Sequence, residues 1–426
     1  MNEQFLQHIW KYNLWQQHNA KLSTGENVSI VNPGIHNFDS GPDFTNARIK
    51  VGEEIWAGNV EVHIKSSDWY LHNHQSDKAY DNVLVHVVYK HDKDIVTSSG
   101  RIIPALEIRF DEKLLIKYEQ LINSERWIAC EESLTSIEPM IIRHFVTSLT
   151  IRRLERKTEQ LDLLYNESNN DFAQTLFISL AKSLGTKLNA LPFELLAKSI
   201  PINILIKHKD ELFIIEALLF GMAGMLDEND VDEDYYLSLK KEFAFQKHKY
   251  KLKPIEKHLW KFLRIRPQNF PSVRLAQLSL WLTNHVHKIS EVVNIVEHSQ
   301  LKDFFNVATS PYWETHYRFG VQSRNEKKNL GHESVDLILI NSVIPFIFAY
   351  GKWKGDEMYC NRAIALLENI NAEKNKIIEN WSKRKVVAEN AYESQGLIEL
   401  KNEFCTKKRC LDCVIGNRLI IDERKR

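Results

Sequence analysis

The spacing of hydrophobic residues divides the chain into a shorter first part and a longer second part. After one helix predicted over residues 2–18, apolar side chains recur at every second position, as expected for strands with one buried face. Segment 83–89 is almost continuously apolar and β-branched, which predicts a buried strand. The predicted strands are 28–31, 47–51, 55–65, 83–89 and 102–110, and the second and third form a hairpin.

From about residue 114 the apolar spacing changes to three and four, which is typical of helices that bury one face. The apolar segment 337–350 is expected at the centre of this helical body. The pattern predicts an α+β chain with a mixed α/β sheet domain over 1–113, an all-α domain over 114–404 and a Cys-rich tail over 405–426. The predicted helices of the second part include 141–164, 172–184, 193–199, 212–225, 363–381 and 386–404.

Composition changes this picture only slightly. The 426 residues carry 56 basic and 56 acidic side chains, so the whole-chain charge does not indicate a nucleic-acid partner, although a local groove can supply a positive field. The five cysteines favour a reducing compartment, and the N-terminus lacks the features of a signal peptide. Segment 337–350 contains Asn341 and Pro345 and is too short to span a bilayer. We expect a soluble cytoplasmic protein with no membrane partner and, without a GxxxxGK[ST] loop, no intrinsic nucleotide-driven motor.

The candidate chemistry lies in the stretch Gly41–Lys65. Glu61, His63 and Lys65 occupy every second position of a predicted strand, so their side chains share one face. Asp43 follows a loop rich in residues that bond their own backbone. Two carboxylates that meet on a small sheet offer oxygen ligands to Mg²⁺ or Mn²⁺, and a neighbouring Lys or His can hold a water or a phosphate oxygen. The stretch therefore predicts metal-assisted phosphodiester hydrolysis.

Pro42-Asp43 followed by Glu61-Val62-His63 resembles the PD-(D/E)xK nuclease superfamily, in which a Pro-Asp precedes an acid, any residue and a lysine. The resemblance implies a restriction-endonuclease-like sheet domain whose two carboxylates hold a divalent metal. Histidine stands here at the lysine position. Either His63 activates the water, or Lys65 reaches the site from one pleat further along, or hydrolysis has been lost. The residues alone also allow an alternative without a catalytic site. In that alternative Asp43 caps a turn, and Glu61 and Lys65 form a surface ion pair.

Further polar residues surround this stretch. His72 and His74 are interpreted as phosphate or substrate contacts, metal ligands or loop histidines, and His86 as a core histidine within its strand. Glu3, the acid of the first helix, is either an additional metal ligand or a solvated carboxylate near the helix dipole.

Three cysteines near the C-terminus, Cys405, Cys410 and Cys413, form a C-x4-C-x2-C run. Two thiolates separated by two residues bind one ion well, and Cys360 or Cys130 supplies a fourth ligand. The run predicts zinc or an iron–sulfur cluster, and the alternative is three reduced cysteines in a packed turn.

Two basic groups stand out in the helical part. Arg264, Arg266 and Arg274 flank a proline-bounded connection, where they either bind phosphate near a helix N-terminus or pin the helical domain onto the sheet domain. The basic run over 152–157 is expected on exposed turns, as a solvated helix face.

Over nearly its whole length the sequence is also similar to a bacterial family, found mainly in Bacteroidetes, that is described only as a domain of unknown function. This similarity implies the two-part architecture and no activity. The segments that carry it are NFDSGPDF, GNVEVHIKSSDW, residues 72–89, RPQNFPSVRLAQ, SVIPFIFAYG and CTKKRCLDCVIG.

Three functions are compatible with these observations. The first is a divalent-metal-dependent nuclease acting on DNA or RNA, in which Asp43 and Glu61 hold the metal while Lys65 and His63 orient the water. The second is a non-catalytic nucleic-acid-binding or assembly protein on a degenerate nuclease core. The third is a His-rich metallohydrolase that acts on a small substrate through His63, His72 and His74.

Overall fold

The computed structural model describes residues 1–227 and 230–421. Its contacts divide the chain into two compact units: Met1–Ile142 together with the segment that begins at Lys401, and Arg143–Leu400. The first unit, here called the sheet domain, contains a mixed sheet, and the second, the helical domain, is built mainly from helices. The predicted α+β class is confirmed. The last residues of the predicted tail, 422–426, lie outside the described part of the chain.

The boundaries differ from those expected at residues 113 and 405. Helix Glu112–Ile122 packs against the C-terminal helix Val414–Ile421, and both belong to the sheet domain. The two ends of the described chain therefore build one unit. An apolar pattern identifies each helix but does not reveal which distant segment covers it.

The elements of the sheet domain that precede the helical part are, in chain order, α1 (Glu3–Lys11), β1 (Val28–Asn32), β2 (Ile35–His36), β3 (Phe44–Val51), β4 (Glu54–Lys65), α2 (Asp68–Leu71), β5 (Val83–Lys90), β6 (Ile95–Val96), β7 (Ile102–Ile103), β8 (Ala105–Glu107) and α3 (Glu112–Ile122). The elements of the helical domain are α4 (Pro139–Glu167), which begins at the boundary, α5 (Phe172–Leu184), α6 (Thr186–Ser199), α7 (Ile202–Lys207), α8 (Leu212–Met222), α9 (Asp234–Tyr250), α10 (Pro271–His285), α11 (His298–Phe304), α12 (Pro311–Glu314), β9 (His316–Arg318), β10 (Val321–Gln322), α13 (His332–Ile338), α14 (Ile344–Lys354), α15 (Glu357–Glu368), α16 (Lys376–Lys383) and α17 (Ala391–Glu399). The last helix, α18 (Val414–Ile421), belongs to the sheet domain.

The main sheet has the order β1-β3-β4-β5-β8, and β2 pairs with β3. Its first three strands are antiparallel, whereas β4, β5 and β8 run parallel. The pairing of β3 with β4 shifts register between Phe44 and Ala47, where Asn46 has a φ of 56°. Such a bulge bends a strand and redirects its side chains. The start of β3, where the Asp43 side chain lies, is therefore set apart from the regular ladder.

Helix α1 covers one face of this sheet. Asn2 caps the helix by accepting a hydrogen bond from the Phe5 amide, and four large apolar side chains of α1 are fully buried. They share a core with Val60 and Val62 of β4, which confirms the predicted alternation along that strand. The buried side chains of the helix are Phe5, Leu6, Ile9 and Trp10.

Two predicted elements of the sheet domain are shorter than expected. Helix α1 ends at Lys11 rather than near residue 18, because Asn13 adopts a φ of 52° and the chain then becomes extended, with Trp15 bridging to Phe110. The predicted strand 102–110 is divided into β7 and β8 by Pro104, which has no amide hydrogen to donate to a ladder.

In the helical domain, the basic run of α4 is only partly on an exposed face: Arg152 is exposed as expected, whereas Arg153, Arg156 and Lys157 are half-buried and bond other parts of the domain. Arg153 and Arg156 both bond the carboxylate of Glu399, whose side chain is fully buried. Lys157 donates to the side chain and the carbonyl of Asn341. These cations have internal partners because an unpaired buried charge is costly.

The apolar segment expected at 337–350 forms part of a longer helix. Residues His332–Lys354 make 23 continuous helical residues, with a π-helical turn over Leu339–Val343 just before Pro345. The wide turn accommodates the missing amide hydrogen, so the proline does not break the helix. The helix is long and apolar enough to cross a membrane by composition, but 72% of its most apolar window is buried inside the protein, as in a core helix.

Two predicted helices near the end of the domain are also interrupted. The predicted helix 363–381 is divided into α15 and α16, because Asn375 caps a new helix by accepting hydrogen bonds from the amides of Ile377 and Ile378. The predicted helix 386–404 begins later, at Ala391, and ends in a π-helical turn over Leu400–Cys405.

A buried acid in the helical domain generates a prediction about stability. The Glu216 side chain of α8 is 1% exposed and accepts hydrogen bonds from the hydroxyls of Ser310 and Tyr235. Burial raises the pKa of this carboxyl to about 7. The folded state therefore keeps a proton that the unfolded chain releases at lower pH. As a result, the free energy of unfolding of the protein decreases as the pH rises from about 4.5 towards 7.

We expect Glu216→Gln to remove this pH-dependent loss of stability. The free energy of unfolding of the variant minus that of the unmodified protein should therefore be larger at about pH 8 than at about pH 5, by roughly 2–3 kcal/mol. Urea denaturation at the two pH values measures the difference, and Glu256→Gln, at an exposed carboxylate of the same domain, is the control. A difference that does not change with pH contradicts the prediction.

Candidate functional site

The centre of the candidate site is a pair of acidic side chains on neighbouring strands. The Asp43 amide donates to Glu61 Oε2 over 3.0 Å, and the Val62 amide donates to Asp43 Oδ2 over 3.1 Å. Each carboxylate is thus held by the backbone of the other strand. The bulge at the start of β3 leaves these amides free for side chains. Glu61 is 4% exposed, which disagrees with the alternative of a surface ion pair with Lys65.

A chain of imidazoles continues from the acidic pair. His63, on the same face of β4 as Glu61, has its Nδ1 2.7 Å from His86 Nε2 and its Nε2 3.0 Å from His72 Nδ1. His86 is fully buried in β5, as predicted for a core histidine, and its ring fixes the orientation of His63. In metal sites, the second nitrogen of a ligating histidine is commonly held by such a hydrogen bond. His63 Nε2 is then the atom that faces the site.

The segment after β4 brings two more histidines to this face. His72 ends α2, and Asn73 follows with a φ of 61°, so that His74 turns back towards the sheet. The His74 ring lies against His63, with ring centroids 5.3 Å apart, and stacks on Tyr80 at 3.8 Å. This left-handed residue allows two histidines separated by one position to converge on His63.

Four ligand atoms converge at this point. Glu61 Oε1 lies 3.3 Å from His74 Nε2 and 3.6 Å from His63 Nε2, and these distances accompany the 3.0 Å between His63 and His72. The ligating nitrogens of the three histidines lie within 4.8 Å of one another. Ligands 2.0–2.1 Å from a tetrahedral ion are roughly 3.3 Å apart, so the observed spacing suits one metal ion.

His74 Nε2 is a buried nitrogen without a hydrogen-bond partner in the structure, although Glu61 Oε1 is only 3.3 Å away. His74 Nε2 and Glu61 Oε1 are thus close together but do not have the geometry of a hydrogen bond. Two ligands of the same metal ion are arranged in this way, because both point at the ion and not at each other. Buried polar atoms are rarely left unsatisfied. The geometry therefore fits a cation between these side chains.

Burial controls the protonation of the site. Burial raises the pKa of Glu61 to about 8 and, together with the Glu61 carboxylate, raises the pKa of Asp43 to about 7. Burial lowers the pKa of His63 to about 2 and that of His86 to about 3, and it also lowers the pKa of His74. The rings of His63, His74 and His86 therefore favour the neutral form, while among the described residues the carboxyls of Asp43 and Glu61 pair with no lysine or arginine.

Helix α1 adds two polar residues to the surroundings of the site. The Gln7 side chain hydrogen-bonds Asp43 and lowers the pKa of that carboxyl against the larger effect of burial. Glu3 interacts electrostatically with His72 and His74, and its own pKa is raised, mainly by burial. Glu3 is thus partly buried and lies within electrostatic range of the histidines.

Lys65 lies apart from this group. Its side chain is exposed, and its amide donates to Asp68 Oδ2 over 2.9 Å. Among the described residues, its ammonium group makes no hydrogen bond or ion pair with Asp43 or Glu61. At the position where the nuclease pattern has lysine, the chain therefore presents the neutral ring of His63.

The predicted cysteine group is only partly brought together. Cys405, Cys410 and Cys413 lie in the sheet domain, near Cys130. Cys360 lies in α15 of the helical domain, where its Sγ donates to the Phe348 carbonyl over 3.5 Å. Of the two candidates for the fourth position, Cys130 is the one that shares the group.

The three predicted phosphate-binding arginines have different environments. Arg264 and Arg266 are exposed, and Arg264 has a φ of 62°. Arg274 is buried in α10 and donates to the side chains of Asn269, Gln277 and Ser334, all within the helical domain. Burial lowers the pKa of this guanidinium to about 10. These neutral partners satisfy Nη1 and Nη2 of Arg274, whereas its buried Nε has no hydrogen-bond partner among the described residues.

Two residues that contact the site were not identified from the sequence. Gln7 belongs to the polar side of an amphipathic helix, and Tyr80 lies between two strands, where an aromatic residue is ordinarily read as core. Gln7 follows Glu3 by four residues, so the two side chains lie on the same face of α1. This spacing is the one feature of the sequence that could have linked Gln7 to the site.

Comparisons with known proteins add a family and no activity. Neither the curated proteins nor the solved structures contain a match to this chain. One family model matches residues 3–376, which include the whole sheet from β1 to β8 and most of the helical domain. By this match, the chain belongs to the family described as protein of unknown function (DUF2851).

Proposed function

We propose that the sheet domain is a divalent-metal-dependent hydrolase that cleaves phosphodiester bonds in DNA or RNA. The observation that carries the proposal is the convergence of Glu61 Oε1 with the nitrogens of His63, His72 and His74 at distances that suit one ion. A metal ion at this point lowers the pKa of a bound water and polarises a phosphoryl oxygen. The preference for phosphodiesters follows from the nuclease-like sequence Pro42-Asp43 with Glu61-Val62-His63.

Asp43 has a separate role in this proposal. Its amide fixes one oxygen of Glu61, and its own carboxylate, held by Val62, adjoins the ligand group. With a metal bound, the Asp43 carboxylate would be placed to take the proton of the attacking water. Asp43 would therefore both position Glu61 and act as the general base.

The histidine at the lysine position determines the metal. A lysine there supplies positive charge, whereas the buried, neutral His63 supplies a nitrogen ligand. Mg²⁺ prefers oxygen ligands, while Mn²⁺ and Zn²⁺ also accept imidazole. The donor set therefore supports Mn²⁺ or Zn²⁺ rather than Mg²⁺ as the working ion.

A second candidate is supported by the same three histidines. A His-rich metallohydrolase acting on a small substrate uses the same ligand set, and only the substrate differs. Cleavage of small phosphodiesters or carboxylic esters without cleavage of any nucleic acid favours it. Metal binding and salt-dependent DNA binding without hydrolysis instead favour a non-catalytic platform.

The acidic pair is tested by variants that remove each charge. Glu61→Gln and Asp43→Asn keep the shape of each side chain but remove the charge, so we expect each to reduce metal-dependent cleavage at least about 100-fold. Cleavage of single- and double-stranded DNA and of RNA is measured with Mg²⁺, Mn²⁺ and Zn²⁺, and folding is checked by circular dichroism.

Glu53→Gln is the matched control, because Glu53 is an exposed acid in the turn between β3 and β4 and pairs with Lys50. Its cleavage rate should equal that of the unmodified protein. Undiminished cleavage by both the Asp43 and the Glu61 variants excludes this site from the reaction.

The histidine ligands are tested by a variant that removes His72. We expect His72→Ala to weaken Mn²⁺ binding at least about tenfold, because the exposed His72 contributes a ligand without supporting the core. Isothermal titration calorimetry with Mn²⁺ measures the affinity, and Mn²⁺ is chosen because thiolates at the cysteine group compete less for it than for Zn²⁺. His18→Ala, at an exposed histidine of the same domain, is the control. Equal affinities in all three proteins exclude His72 as a ligand.

A further inference from the structure

The helical domain contains a cavity that takes no part in the proposed hydrolysis. Its volume is about 800 Å³, which is within the ordinary range of a small-molecule site. Every residue of its lining belongs to the unit Arg143–Leu400. Leu163 and Leu337 are part of the lining and are 65% and 39% exposed, so the cavity opens to solvent beside them.

The lining of this cavity carries an excess of positive charge, although the whole chain is neutral. It contains five basic and three acidic residues. Lys182 and Lys198 form ion pairs with two of the acids, and the third acid, Glu373, accepts hydrogen bonds from two side-chain amides. The other three bases form no ion pair with an acid among the described residues, and they are Lys157, Lys187 and Arg274.

Arg274 is the most deeply buried of these three bases, with 4% of its surface exposed. Its Nη1 and Nη2 donate to neutral side chains, whereas its Nε has no hydrogen-bond partner among the described residues. A buried guanidinium without an anion is costly for folding. Its planar set of donors matches the oxygens of a carboxylate or a phosphate, so an acidic group in the cavity would offset that cost.

Lys157 reaches the same cavity from α4. Its ammonium group donates to the side-chain oxygen of Asn341 over 3.0 Å and to the carbonyl of the same residue over 3.2 Å. Pro345, four residues later in the helix, has no amide hydrogen for this carbonyl. These bonds use two of the three hydrogens of the ammonium group, and the third is left for another acceptor.

The two cations are anchored on one helix. Arg274 donates to Ser334, and Ser334 and Asn341 are seven positions, or about two turns, apart within His332–Lys354. At 1.5 Å per residue, the anchors are about 10 Å apart along the helix axis. One carboxylate or phosphate is small compared with this spacing, whereas a molecule with an acidic group at each end matches it.

We propose that this cavity binds a small aliphatic molecule with an acidic group at each end, one held by Arg274 and the other by Lys157. Two negative charges equal the excess of five basic over three acidic residues in the lining. The apolar residues of the described lining are leucine, isoleucine and proline, without an aromatic ring on which a nucleobase could stack, so the part between the acidic groups is aliphatic. The site is independent of the proposed hydrolysis, whose metal ligands lie in the sheet domain.

Calorimetric titration of the full chain tests this proposal. The protein is first freed of metal by chelation and dialysis, so that no metal ion in the sheet domain can hold an acidic group. The probes are adipate, suberate and 6-phosphonohexanoate, and the comparison compounds with one acidic group are hexanoate and inorganic phosphate. We expect at least one probe to bind at least about tenfold more tightly than both comparison compounds, because a charged hydrogen bond contributes about that factor.

The outcomes separate the kinds of ligand. Tighter binding of adipate supports a dicarboxylate as the ligand, and tighter binding of 6-phosphonohexanoate supports a phosphorylated acid. Hexanoate or phosphate binding as tightly as the best probe overturns the proposal. So does the absence of binding by all three probes at concentrations up to about 5 mM.

Two variants remove the proposed contacts. Arg274→Gln and Lys157→Met should each weaken binding of the best probe at least about tenfold. Arg324→Gln, at an exposed arginine of the same domain outside the lining, should leave the affinity unchanged. Undiminished affinity in both the Arg274 and the Lys157 variants contradicts the assignment.

Because these two variants can fail to fold, Leu163→Glu is measured in parallel. It adds a negative charge at the exposed mouth of the cavity and should weaken binding of the best probe at least about twofold at low salt. Leu237→Glu, at an exposed leucine of α9 outside the lining, is the matched control. Equal affinities of the two glutamate variants contradict binding in this cavity.

Discussion

The arrangement of the candidate site depends on the reciprocal hydrogen bonds between two buried acids and the backbone of each other's strand. These bonds require the irregular start of β3, since a regular ladder would occupy the Asp43 and Val62 amides. They hold Glu61 where its second oxygen faces the histidines. The bulge of β3 places this oxygen, the register of β4 with β5 places His63 beside His86, and the turn at Asn73 brings His74 to the same point.

Two groups of buried acids in this chain differ in how their charge is compensated. In the helical domain, the Glu399 carboxylate is saturated by Arg153 and Arg156, and such a closed network holds helices together. In the sheet domain, Asp43 and Glu61 pair with no lysine or arginine in the described structure, and their partners are backbone amides and the neighbouring imidazoles. Incomplete compensation of buried charge is costly for folding and is typical of sites that bind or transform something.

The sequence allowed much of the sheet domain to be anticipated, because a strand has period two and its alternation is local. The face shared by Glu61 and His63, the buried β5 and the core position of His86 all follow from such patterns. Features that depend on distant contacts were not accessible. The burial of Lys157 requires Asn341 from another helix, and the place of Cys130 requires a segment more than two hundred residues later. Local interruptions, such as the left-handed Asn13 and the cap at Asn375, are intermediate cases, since asparagine permits them without demanding them.

The composition of the sheet domain from two distant stretches of chain has a consequence for how the protein is made. A ribosome that has completed Ile142 must still synthesise Arg143–Leu400 before the segment from Lys401 emerges. At about 5–20 residues per second, this interval is roughly 13–50 s. During that time the core that α18 will cover near α3 is exposed, while the helical domain is free to fold first. The core of the sheet domain is therefore completed only after the whole helical domain has been synthesised.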